Sequence, residues 1–165
     1  MSGLQLLFYA LAVLTVIFAS AVIASRSPMY SAMALVATFF FLAGIYAMLV
    51  AHTIAILQIL VYAGAIMVLF LFVIMLLSLA ESPRPARVRP HHVVGALTAA
   101  GLFFALVVAV SRLQPGLSTE LPAGFGTLGS LGAQLYTQWL LPFEALSLLL
   151  LVAMVGAVVV AKSRV

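Results

Sequence analysis

Cysteine is absent from this 165-residue chain. No disulfide can form, and no thiolates are present to hold an iron–sulfur cluster. Charge is nearly absent as well. Charged residues make up 6% of the chain, against about 25% in a soluble domain. So few polar groups cannot cover a surface that faces water, so the solvent of this chain must be lipid. Three histidines and three carboxylates are too few and too scattered for a metal site. The seven Lys and Arg, which give the net charge of +4, lie at the ends of apolar stretches. That placement orients a chain in a membrane and does not make a nucleic-acid surface.

What remains is apolar: 67% of the residues. Five stretches are each long enough to cross the roughly 30 Å of hydrocarbon, which takes about 20 helical residues. They cover about 4–24, 29–50, 54–79, 92–111 and 139–161. Backbone exposed to lipid must satisfy its own hydrogen bonds, so these are helices. The short alternating segments of a β-barrel do not occur. The fold class expected is therefore an all-α integral membrane protein with five transmembrane helices in one membrane domain, 1–165. Ala19-Ser20-Ala21 resembles a signal-peptide cleavage site, but no basic residue precedes it, and the first segment is read as a transmembrane helix.

Charge gives the direction. With the N-terminus outside, Arg26, Arg84, Arg87, Arg89, Lys162 and Arg164 face the cytoplasm and only Arg112 faces out. This positive-inside bias requires an odd number of crossings and puts the C-terminus inside. Tyr136 and Trp139 then fall at the outer interface, where aromatics are favoured. The stretch 81–91 is rich in proline and arginine, and it is expected to be extended and cytoplasmic. In the outer loop, Leu128, Leu131, Leu135 and Trp139 have the spacing of one helix face. They predict a short helix lying on the membrane surface ahead of the last transmembrane helix. No internal repeat is present, which argues against transporters built from inverted repeats.

Four residues are candidates for chemistry. Glu144 is the only charge between Glu120 and Lys162 and lies one to two turns inside the last helix. A carboxylate at the bilayer centre costs roughly 2.5–3.5 kcal/mol, and less near an interface. It either belongs to a proton-conducting path or binds water or a neighbouring subunit near the surface. Tyr62 lies eight residues past Ile54, about 12 Å deep at 1.5 Å per residue. Its hydroxyl needs a partner there, on a hydrated path or on another helix. Gln58, one α-helical turn earlier, is placed on the same face. Gly64, within Ala63-Gly64-Ala65, weakens the helix by about 1 kcal/mol relative to alanine. Three small residues in a row either let another helix approach closely or mark a π-bulge, a distortion common at functional sites. His52 is expected to be solvated in the outer turn, and His91 and His92 to meet lipid headgroups. Small residues four apart (Ala43 and Ala47, Gly101 and Ala105, Ala153 and Ala157) read as packing faces.

The string Val61-Tyr62-Ala63-Gly64-Ala65-Ile66-Met67-Val68-Leu69-Phe70-Leu71-Phe72-Val73-Ile74-Met75-Leu76-Leu77 closely resembles the signature helix of subunit J, or chain 6, of the proton-pumping NADH:quinone oxidoreductases. Arg26-Ser27-Pro28-Met29-Tyr30-Ser31-Ala32 and Leu140-Leu141-Pro142-Phe143-Glu144-Ala145-Leu146-Ser147 resemble the same family, and order and spacing fit nearly the whole chain. The resemblance implies five transmembrane helices in a membrane arm near the quinone-reducing end. It implies no flavin, cluster or quinone site in this chain: FMN, iron–sulfur clusters and quinone are expected in partner subunits. In the family the third helix can hold a π-bulge near its tyrosine, and the change between α and π forms is linked to hydration of a proton route. Carried over, this points to Tyr62 and Gly64, with Glu144 at the family's carboxylate position in the last helix. Ser27, Tyr30 and Gln58 stand where many relatives have Asn, His and, in some, Glu. The location implied is the inner membrane of a bacterium, in a hetero-oligomer surrounded by lipid. Other readings stay open: the same subunit of a complex fed by ferredoxin or a deazaflavin, a small free-standing transporter or channel, and a structural scaffold.

Overall fold

Pro28 opens the second helix because proline is pre-shaped for the first helical position and the N–H it lacks would be unpaired there anyway. The rule is general along the chain: apolar runs set where helices lie, and Pro, Gly and short polar turns set where they start and stop. The computed structural model describes residues 3–77, 90–112 and 124–162. Helix α1 covers Gly3–Ala24, α2 Pro28–Met48, α3 His52–Leu77, α4 Pro90–Arg112, α5 Leu128–Thr137 and α6 Leu140–Ala161. Each bound falls within two residues or so of the apolar stretch that predicted it.

Four of these helices, α1, α2, α3 and α6, are long and apolar enough to cross a membrane. In α4 the apolar part among the described residues is the shorter stretch Leu97–Arg112. The chain is thus an all-helical, multi-span membrane protein. A short helix stands where one was expected before the last span, as α5. Arg84, Arg87, Arg89 and Arg164, which fix the expected orientation, lie outside the described residues, as does the proline-rich loop around them.

The chain forms two compact units: Met1–Leu79 with Ala123–Val165, and Ala80–Pro122, which contains α4. The core of the first unit lies where α2 packs between α1 and α3. Against α1, the Phe18 and Phe41 rings stand 5.3 Å apart. A side chain at Gly44 would press on Leu11, so the glycine permits this close approach. At the hairpin, Ser31 Oγ donates to the Val22 carbonyl at 2.7 Å. Ala43 is buried, as its small-residue spacing predicted, whereas Ala47, Ala153 and Ala157 face outward in the isolated chain. Helix α6 buries none of its residues. An apolar helix exposed on all sides is one that meets lipid or other chains.

Hydroxyls along these helices are satisfied locally. Thr15, Ser20, Ser25 and Thr38 each donate to the carbonyl four residues back, at 2.7–2.9 Å. Back-bonding of this kind hides a hydroxyl from lipid without needing a second helix.

Candidate functional site

The centre of α3 is not an α-helix. Over Gln58–Ile66 the backbone is π-helical. At its end the Met67 N–H reaches back to the Tyr62 carbonyl, five residues earlier. Nine residues is long for a π segment, which normally occupies a single turn. Three of the four candidate residues, Gln58, Tyr62 and Gly64, lie inside it. Of the two readings left open for Ala63-Gly64-Ala65, the π distortion is the one this structure adopts.

Glycine suits this backbone for a local reason. In the widened turn the Ile59 carbonyl oxygen lies 3.2 Å from where a Cβ on Gly64 would sit. That is tighter than ordinary contact, and the atom in the way is backbone.

The π turn also changes which residues share a face. On α-helical spacing Gln58 and Tyr62 would lie one above the other. The wider turn, bonded five residues apart, turns the chain less per residue than an α-helix does, and Ala63 joins Gln58 on the buried side. The buried seam of α3 accordingly runs Ala55, Gln58, Ala63, Met67. Gln58 is 7% exposed and Ala63 5%, whereas Tyr62 is 50% exposed. The expectation of one shared face is therefore corrected: Gln58 enters the seam and Tyr62 stands beside it.

The seam faces α2. The Phe39 and Tyr62 rings meet edge to face at 5.8 Å. Since α2 and α3 are antiparallel neighbours, each step forward on one matches a step back on the other. Counted step for step from this ring contact, Thr38 pairs with Ala63 and Ala43 with Gln58. Thr38 and Ala43 are the buried residues of this part of α2.

Gln58 and Tyr62 differ from the Ser and Thr residues in having no local way to satisfy themselves. Among the described residues, neither side chain has a hydrogen-bond partner. The amide atoms of Gln58 are not sealed, however, but keep some accessible surface. A polar group this deep needs a hydrogen-bonding partner. The unpaired amide of Gln58 thus lies in the seam with part of its surface still open in the isolated chain.

Glu144 is elsewhere. It sits just past the first turn of α6 and is exposed. Its backbone carbonyl accepts the Ser147 hydroxyl at 2.7 Å, and no described residue pairs with its carboxylate. Beside it, Phe143 stacks edge to face on Tyr136 of α5 at 5.2 Å. The structure thus joins Gln58, Tyr62 and Gly64 in one segment and leaves Glu144 on a bare helix.

Sequence reasoning missed the start of α3. Val50 has φ 61°, a conformation that β-branched residues rarely adopt. It allows the chain to reverse in the three residues between α2 and α3. The Gly126 carbonyl, from the turn before α5, accepts both the Thr53 N–H (3.1 Å) and the Thr53 hydroxyl (2.8 Å). No spacing rule links positions 73 residues apart. The only sequence signal was a pair of glycines, Gly124 and Gly126, in the loop before α5. His52, expected to be solvated, is exposed and has Nδ1 3.1 Å from the Val50 carbonyl.

The described residues thus form a multi-span membrane protein whose third helix carries one long π segment with polar groups in it, and whose apolar last helix buries none of its residues. Residues 18–160 match the family model of NADH-ubiquinone/plastoquinone oxidoreductase chain 6. NAD(P)H-quinone oxidoreductase chain 6 of Leptolyngbya boryana is 37% identical over 97% of this chain and 81% of its own length. NADH-quinone oxidoreductase subunit J of Rhodobacter capsulatus is 33% identical over 92% of this chain and 78% of its own. F(420)H(2) dehydrogenase subunit J of Methanosarcina mazei is 34% identical over 95% and 90%. The chain belongs to the family of NADH-quinone oxidoreductase subunit J, also called chain 6, the membrane subunits of that complex.

Proposed function

We propose that this chain is a non-redox membrane-arm subunit that helps couple quinone reduction to proton translocation, through a hydrated path beside the π segment of α3. Its work depends on its neighbours. FMN, the iron–sulfur clusters and the quinone site belong to partner subunits, and this chain contributes shape and polarity. It crosses a bacterial inner membrane five times as one membrane domain, with the N-terminus outside. The observation that carries the reading is the π segment Gln58–Ile66, which holds a buried amide, a deep tyrosine and a glycine that tolerates the widened turn. Such a segment supplies polar groups along a helix that is otherwise apolar. One carboxylate and no lysine within the spans do not make a pump, so the proton machinery is shared with other chains.

A first test is the company the chain keeps. Purified from its native membrane in mild detergent, it is expected to come out with flavin- and cluster-bearing subunits. Recovery as a lone protein would sink the proposal.

Glu144 supports a second test. In the assembled complex, Glu144→Gln is expected to leave electron transfer to quinone within about twofold and to lower protons moved per electron. Loss of one proton-transfer group acts on proton movement and not on electron transfer, which would lie in other subunits. An unchanged ratio would make Glu144 an interface residue.

The electron donor is not a property of this chain. Its similarity to the Methanosarcina subunit, whose complex takes a reduced deazaflavin by name, favours a second reading in which the donor is not NADH. The donor site lies in other subunits in both cases, and oxidation of NADH by the purified complex distinguishes them.

A further inference from the structure

We infer that Thr53 and Gly126 are positioning residues: the bond between them sets the rotation of α3 about its axis, and so decides which side chains of the π segment face α2. The inference rests on the functional reading above for its consequence but not for its geometry.

Two donors of one residue meet one acceptor. The Thr53 N–H and hydroxyl both reach the Gly126 carbonyl, at 3.1 and 2.8 Å. The N–H lies along the helix axis and fixes height. The hydroxyl stands off the axis and fixes rotation. Thr53 comes two residues before Ala55, so the two point about 200° apart around an α-helix. Both are buried, Thr53 at 8% exposure and Ala55 at 7%. Helix α2 thus holds the seam side of α3 and the Gly126 turn holds the other, immediately ahead of the π segment.

The turn that supplies the carbonyl is itself fixed. Gly124 and Gly126 have φ of 83° and 72°. Thr127 donates its N–H and hydroxyl to the Gly124 carbonyl at 3.2 and 2.7 Å, and its Oγ1 accepts the Ser130 N–H at the start of α5. On the opposite side, any side chain at Gly126 would run into the Val50 carbonyl. Val50 is held in its unusual conformation by its own N–H to Ala47 and by the Ala51 N–H to Tyr46, five residues back. Loop and turn interlock, and Thr53 is the link from them to the site. A π segment is less regular than an α-helix, so the rotation of its residues is not set by its own backbone alone. A fixed reference at its entrance supplies what the backbone lacks.

The test uses the whole complex in its own membrane and exploits the absence of native cysteine in this subunit. Thr38→Cys with Ala63→Cys places thiols at one height on the facing seams. With Thr53 intact, mild oxidation is expected to cross-link them. Thr53→Val keeps the shape and the N–H but removes the hydroxyl, and is expected to lower the cross-link yield at least fivefold. Thr53→Ser is expected to restore it. Equal yields with Thr and Val at position 53 would overturn the inference, because a merely stabilising bond would leave the rotation unchanged. Absence of any cross-link with Thr53 in place would overturn the seam register and the inference with it. Protons moved per electron are measured in the Thr53→Val complex without the cysteines. A lower cross-link yield with unchanged pumping keeps Thr53 as a positioning residue and counts against the proposed function. Unchanged cross-linking with impaired pumping does the reverse.

Discussion

Gly126→Ala is expected to remove most of the assembled protein from the membrane. The reason is steric and local. At φ 72° an L-residue bears a cost of roughly 1–2 kcal/mol. The added Cβ would also occupy the place of the Val50 carbonyl oxygen, a backbone atom with little freedom to move. To make room, the turn must leave the loop. That breaks two hydrogen bonds from Thr53, each contributing about 0.5–1.5 kcal/mol. Several kcal/mol is a large share of a typical protein's total stability of about 5–15 kcal/mol. The measurement is the amount of this subunit in purified complex and the thermal midpoint of that complex. Gly129→Ala, three residues on in α5, meets nothing within 4 Å and serves as the control. It is expected to be neutral, or stabilising by up to about 1 kcal/mol. If Gly126→Ala assembled as well as Gly129→Ala, the close approach of turn and loop would not exist.

Gly64→Val is expected to abolish coupled activity while leaving the complex assembled. A Cβ here would stand 3.2 Å from the Ile59 carbonyl, and valine adds two further carbons next to it. Overpacking of this kind costs about 1–3 kcal/mol. In an ordinary α-helix the same position has no such obstacle, so the cost falls on the π form alone. A difference of about 1.4 kcal/mol is a tenfold change in an equilibrium, enough to drive the segment to α. The seam would then close with Tyr62 under Gln58 in place of Ala63. Electron transfer from the donor to a soluble artificial acceptor, which uses partner subunits only, is expected to be normal. Quinone reduction with proton movement is expected to fall about tenfold or more. Gly64→Ala, with a single added carbon, is expected to lie between. Full coupled activity in the valine variant would remove the case for the π segment.

The two glycines differ in how far they could be read in advance. Gly64 stands among small residues in an apolar run, and the resemblance of that run to a known helix pointed to it directly. Gly126 lies in a loop rich in glycine, where one glycine looks like the next. Its importance comes from contacts with the loop at Val50 and with Thr53 at the start of α3, and contacts between distant segments leave no periodic trace.

Much of the fold needed no such contact. Helix positions followed from where apolar residues run on for about 20 positions, because lipid leaves a chain no option except satisfying its backbone internally. The short helix α5 followed from four apolar residues spaced on one face. The absence of cysteine left this chain no thiolates for a cluster before any helix was drawn. What the tertiary structure decided was the geometry within the third helix. On composition alone Gln58, Tyr62 and Gly64 sit on an α-helix, and an α-helix stacks Tyr62 over Gln58. The widened turn brings Ala63 to the buried side with Gln58 instead, buries Gln58 to 7% exposure and leaves Tyr62 half exposed. Local propensity explains why this helix is weak at Gly64, but not how far the distortion extends. What surrounds it, α2 packed along one side and a carbonyl from position 126 near its entrance, is supplied only by the folded chain.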